Sequence, residues 1–207
     1  MLENLPDAIG HALRDVRAGL DSTVFNHSGL RAGLAAITVS SLAFSDHAPI
    51  PVRYTADGPG LSPPLQWHGV PAGTSAVVLI VEDADAPTPR PLVHAIVVDL
   101  SADENGALAE GALSSPEPDG EALHQGRNSF LSAGWLPPDP PPGHGQHRYV
   151  FQVFALGAAP EGDVFGQTPG RDEVLDAIRA RGLASGCLVG TYERHDTTVR
   201  ASSAALA

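Results

Sequence analysis

Apolar positions along this chain come in short runs separated by turn residues. The runs are Ile37 to Phe44, Val52 to Tyr54, Leu65 to Trp67, Ala76 to Val81, Leu92 to Leu100 and Arg148 to Leu156. Asp57-Gly58-Pro59-Gly60 and Pro71-Ala72-Gly73 punctuate them. Runs of this length, rich in β-branched residues and without helices alternating between them, predict a mainly β protein built as an antiparallel sandwich. Residues 76–81 are apolar on both sides, so that strand is expected to be central and covered on both faces. Helical spacing occurs only at the periphery. Pro6 in a first turn, with Ile9, Leu13, Val16 and Leu20 following at spacings of four, three and four, predicts an amphipathic helix over 6–20, weakened by Gly10 and Gly19. A helix of that length needs a partner for its apolar stripe, either the domain body or a second copy of the chain. Thr168-Pro169 predicts the start of another helix with Val174, Leu175 and Ile178 facing inward, ended by Arg179, Arg181 and Gly182, with a last strand over about 186–193. Residues 21–36 read as a connector and 101–126 as a loop, while Pro137 to Pro142 is stiff enough to hold a pocket rim. The organisation expected is an N-terminal helical extension and connector, 1–36, and one β domain, 37–207.

Two stretches join polar groups to these strands. Asp83 and Asp85 fall at the end of the 76–81 run, just before Pro87. In the next run, period-two alternation puts Leu92, His94, Ile96 and Val98 on one face, leaving His94 a lone polar group among aliphatics. Gly143-His144-Gly145-Gln146 leads into His147, Tyr149 and Phe151, which alternate onto one strand face, and the glycines allow close backbone approach. The two stretches are read as walls of one pocket, with Asp83, Asp85, Pro87, His94, Gly145, His147 and Tyr149 as candidate ligand contacts. Asp83 is favoured over Asp85, which suits a turn former bonding local amides. His144 and His147 have the spacing of a metal pair, but on a glycine loop that spacing is weak evidence, and no metal or cofactor is expected.

The order Asp-x-Asp-Ala-Pro, a His on the following strand, then Gly-His-Gly-x-His-Arg-Tyr-Val-Phe resembles the phosphatidylethanolamine-binding protein family, also called Raf kinase inhibitor-like proteins. Leu188-Val189-Gly190-Thr191-Tyr192 resembles its bacterial branch. The likeness runs over residues 35–195. It implies a Greek-key β-sandwich with peripheral helices and a site for a phosphate-containing head group. Ala84, Ala95 and Gln146 depart from the family's usual Pro, aromatic and Pro, which bears on ligand selectivity more than on fold.

Composition narrows the partners. The formal net charge is −12, and no basic cluster in the sequence offsets it, so nucleic acid and anionic membrane surfaces are disfavoured. All 12 basic residues are arginine. The single cysteine, Cys187, excludes an internal disulfide and is read as a buried thiol. The absence of an apolar leader or a long apolar run predicts a cytoplasmic protein without membrane insertion, and the N-terminal stripe predicts a homodimer.

Two imidazoles, a phenol and backbone amides suit an anion, because all can donate to phosphate oxygens. Asp83 would repel phosphate by itself, so it is expected either to orient a histidine and raise its pKa or to meet a ligand's ammonium. The expected function is binding of a phosphate-containing small molecule or phospholipid head group, without catalysis. Two other classes remain open on the sequence: a surface inhibitor of a kinase or protease, and a hydrolase using Asp83, His94 and His147 with a metal or as general acid and base.

Overall fold

The computed structural model describes residues 6–30, 36–114, 122–160 and 165–194. Among the described residues, eight strands form two antiparallel sheets. β1 (Thr38–Ser40), β2 (Leu65–His68) and β5 (Asn105–Leu108) make the smaller, in the order β1-β2-β5. The larger has the order β6-β4-β3-β7-β8, from β3 (Ala76–Asp83), β4 (Leu92–Leu100), β6 (His124–Gln125), β7 (His147–Leu156) and β8 (Gly182–Tyr192). Among the described residues three α-helices lie at the periphery: α1 (Asp7–Ala12), α2 (Val24–His27) and α3 (Arg171–Arg181).

β3 is buried along its whole length. Its alternation divides the core, as expected for a central strand. Val77, Leu79 and Val81 join Tyr149, Phe151 and Val153 of β7 in the layer between the sheets. Val78 and Ile80 join Phe154, Val174, Leu175 and Ile178 under the helices. Glu82 falls on the helix-covered face, where burial of its charge demands partners. It accepts from the Val24 amide at 2.7 Å, Gln152 Nε2 at 2.9 Å and Arg171 Nε at 2.6 Å. Gln152 Oε1 accepts the Phe25 amide, and Arg171 also donates to the Ser22 carbonyl. This network ties α2 and α3 to the sheet.

Several local expectations change. The described part of the 21–36 connector is a packed element: Val24 is fully buried and Phe25 packs on the core. The 6–20 helix is only the six residues of α1, and Ile9 and Val16, expected to pack, are 41% and 47% exposed. Its contact with the domain runs through Gly10 and backbone atoms instead, and it packs within the same chain. Val52–Tyr54 is a 3-10 turn in place of a strand. The 101–126 loop contains β5 and β6, while 115–121 lie outside the described residues. α3 is preceded by Gly170, one residue beyond the Thr168-Pro169 start signal. Cys187 is exposed, because along the outermost strand β8 it is Ala184, Gly186 and Leu188 that turn inward and the thiol that turns away. Among the described residues no helix is long and apolar enough to cross a membrane.

Candidate ligand-binding site

At the mouth of the β3–β4 and β3–β7 pairs lies a cavity of about 250 Å³. Its polar lining is Asp83, Thr88, His94, Asp139 and His147, set among prolines, Ala86, Leu92, Phe130 and Leu136. A larger open groove of about 860 Å³ runs from Arg90 past Phe130 to α3. The smaller cavity is where three buried titratable groups, Asp83, His94 and His147, come together.

His94 reaches the cavity through a β-bulge. The pairing runs Val81 to Ala95 and then Glu82 to Val93, so β4 carries one residue more than β3 at this point and His94 is the extra one. The expected face shared by His94, Ile96 and Val98 is therefore broken. Ile96 and Val98 pack under the helices with Val93, while the His94 ring meets Tyr149 edge-on at 5.1 Å and Trp135 at 6.1 Å on the other side. Its Nδ1 lies 2.5 Å from the Leu136 carbonyl oxygen, and its own carbonyl accepts the Leu136 amide at 2.8 Å. Since a carbonyl only accepts, Nδ1 carries the hydrogen, and Nε2 is an acceptor in the neutral ring. That Nε2 is buried without a hydrogen-bond partner among the described residues. Burial pushes the His94 pKa below its ordinary value, with Asp83 and the Leu136 carbonyl pulling the other way. Asp83 pulls the His94 pKa in the expected upward direction, but desolvation outweighs the carboxylate.

His147 has both ring nitrogens engaged. Nδ1 donates to Asp83 Oδ2 at 2.7 Å, and Nε2 stands 2.7 Å from His144 Nδ1. Of the two roles considered for Asp83, the geometry selects orientation of a histidine; its Oδ1 also accepts the Asp85 amide at 2.8 Å. A metal ion between the two imidazoles would need about 2 Å to each nitrogen, so two nitrogens this close share a hydrogen instead. His144 has no accessible surface and lies behind His147, outside the cavity lining. Burial, His147 and Arg17 lower its pKa, opposed by the carbonyls of Leu13 and Val16.

The remaining sequence candidates divide between two sides of the wall. Pro87 lines the cavity. Tyr149 is fully buried beneath His94, its hydroxyl without a hydrogen-bond partner among the described residues and its pKa pushed well above 10 by burial, with Asp83 adding to this. Asp85 and Gly145 do not line the cavity; they line an outer cleft of about 400 Å³ with Arg14, Arg17, Gln146 and Arg148. Asp85 accepts Arg148 Nε and Nη2 at 2.7 Å each and the Arg148 amide at 2.9 Å, and Arg17 Nη1 lies 3.1 Å away. Burial works against its charge, yet the two guanidinium groups hold its carboxyl below the usual range. Asp139 was not among the candidates. It enters the wall because Arg194, 7% exposed, donates to Asp139 Oδ1 at 2.7 Å and to the Pro140 carbonyl at 2.9 Å. A lone acid inside a proline run was the signal available for it.

Residues 40–193 match the model of the phosphatidylethanolamine-binding protein family. The chain belongs to this family. A UPF0098 protein of Aquifex aeolicus is 37% identical over 177 residues, covering 84% of this chain and 99% of the relative. A second UPF0098 protein, from Methanothermobacter thermautotrophicus, is 36% identical over 154 residues, with 73% and 95% covered. Among solved structures, the phosphatidylethanolamine-binding protein homologue CT736 of Chlamydia trachomatis superposes with a TM-score of 0.65 at 34% identity, covering 77% of this chain and 99% of that one. YbcL of E. coli, a member of the mammalian PEBP family, gives 0.68 at 28% identity with the same coverage. The family match begins after the segment formed by residues 6–30.

Proposed function

We propose that the cavity lined by His94, His147 and Asp83 binds the phosphate end of a small phosphoester, of the size of a phospholipid head group. The observation that carries this reading is the buried, unpartnered Nε2 of His94: buried polar atoms are nearly always satisfied, and a ligand in the cavity would satisfy this one. Membership of the family supports the same class of ligand. The cavity's volume, about 250 Å³, suits a head group better than a whole lipid. Its apolar walls strengthen each hydrogen bond made inside.

Proton accounting sets the terms of binding. With Nδ1–H given to Leu136, a neutral His94 offers only a lone pair, so the ligand must bring a hydrogen. A phosphomonoester monoanion can do so with its P–OH; a diester requires His94 to take up a proton as it binds. The carboxylate of Asp139 in the wall suits a ligand with an ammonium at its other end, which favours a zwitterion over inorganic phosphate.

Calorimetric titration with phosphoethanolamine and with glycerophosphoethanolamine, in buffers of different ionisation enthalpy, tests this. Binding of the diester accompanied by proton uptake, and its loss in His94→Ala, is the expected result. A wild-type protein that binds neither compound, or a His94→Ala variant that binds both unchanged, overturns the reading. A parallel hydrolysis screen on the same esters separates a binder from a hydrolase.

A further inference from the structure

The pocket's chain of hydrogen bonds does not stop at its own wall. Asp83 holds His147, His147 meets His144, and His144 is in turn gripped by the N-terminal segment. Arg17 Nη2 donates to the His144 carbonyl at 2.9 Å, and Nη1 to the Gln146 carbonyl at 2.8 Å. The same guanidinium donates through Nε to the Arg14 carbonyl at 3.2 Å and pairs with Asp85. The Ala18 and Gly19 amides bond the Ala86 and Ala84 carbonyls, which flank Asp85 just beyond Asp83. Gly10 of α1 lies so close to the rim that a Cβ there would stand 1.8 Å from the Pro142 carbonyl oxygen and 2.9 Å from the His144 amide nitrogen. Gly145, at φ +92°, leaves room for Arg17, whose Nη2 would be 3.4 Å from a Cβ at that position.

We propose that residues 7–19 are part of the ligand site, with Arg17 a positioning residue that sets His144, and through it His147, for ligand binding. This rests on the function proposed above. The segment contributes no atom to the cavity. It acts by fixing the His144 and Gln146 carbonyls, one on either side of Gly145, so that the His144 ring stays behind His147. Lysine cannot replace Arg17, because one ammonium cannot span carbonyls and a carboxylate that a planar fork reaches together.

The test uses the full chain with Arg17→Ala, Arg17→Lys and Gly10→Val, and Arg53→Ala as a surface-charge control. Two readouts are taken: affinity for glycerophosphoethanolamine, and the slowly exchanging downfield imidazole N–H signals of His147 and His144 by NMR without ligand. Arg17→Ala is expected to lose those signals and to bind roughly tenfold more weakly, the equivalent of one good hydrogen bond. Arg17→Lys should behave like it, and Arg53→Ala like wild type. Because the outer cleft is open, millimolar ethylguanidinium should restore both readouts in Arg17→Ala, which a general loss of stability would not permit. If Arg17→Ala keeps its imidazole signals and its affinity, the inference is overturned. Should wild type fail to bind the diester, the head-group reading falls, and the imidazole signals alone still decide whether Arg17 positions the histidines. Gly10→Val corroborates from the other contact, and if it fails to fold, the Arg17 series stands without it.

Discussion

His144 Nδ1 stands 2.7 Å from His147 Nε2, and neither ring has more than 1% of its surface accessible. A histidine facing the cavity is thus held from behind by one outside the cavity lining. Replacing His144 by leucine keeps an apolar group of similar bulk but leaves His147 Nε2 unpaired. The expected cost is about 1–3 kcal/mol of stability, the penalty for an orphaned buried polar group. Urea denaturation of His144→Leu, with His68→Leu on the exposed face of β2 as control, measures it.

Stability should fall as pH drops from 7 toward 5, earlier than carboxylate titration would cause. His94 and His144 have folded-state pKa values lowered by burial. In the window below the unfolded value of about 6.5, the unfolded chain binds protons that the folded chain refuses. Stability then rises with pH, and the contribution is complete above the unfolded value. The slope is at most about 1.4 kcal/mol per pH unit for each group. Denaturation at half-unit steps between pH 5 and 8 checks this, and His94→Gln should flatten the profile.

Asp85→Asn should destabilise by about 2–4 kcal/mol, less than breaking a fully buried ion pair costs, since Arg148 and Arg17 are 36% and 28% exposed and water recovers part of their charge. The same contribution should vanish on acidification. Its carboxyl is depressed, so the stabilisation is present above the ordinary carboxylate value near 4 and is lost as pH falls through the folded value. Thermal melting of wild type and Asp85→Asn should therefore converge as the pH is lowered below 4.

Glu82→Gln should cost about 3 kcal/mol, because it strands the Arg171 guanidinium, only 13% exposed, and weakens the acceptor for the Val24 amide. The loss should appear first around α2. Hydrogen exchange of the Val24 and Phe25 amides, compared with amides of β3, would show whether this layer opens before the sheet.

The sheet was legible where side-chain pattern alone decides it. Continuous burial of Ala76–Asp83 follows from an apolar run, and the inward face of α3 from the spacing of Val174, Leu175 and Ile178. The site was legible as a set of residue types, Asp83, His94 and His147, since these stand out against their neighbours. What escaped was geometry that no side-chain pattern encodes. The bulge at His94 adds one residue to a strand without any composition signal, yet it moves the ring to the other face. The N-terminal stripe has helical spacing, but the contact that anchors the segment uses a glycine and main-chain carbonyls. Asp139 joins the wall only through Arg194, a partner distant in sequence.

Cys187 is the sole thiol in the sequence, and it is exposed on β8 opposite Gln152 of β7, the strand that begins with His147. A maleimide dye would therefore attach at a single place without any background substitution. Because the sequence contains no lysine, amine-reactive cross-linkers have no side chain to address, so an optical or spin label at this position is the practical way to watch the β7–β8 ladder respond when the cavity fills.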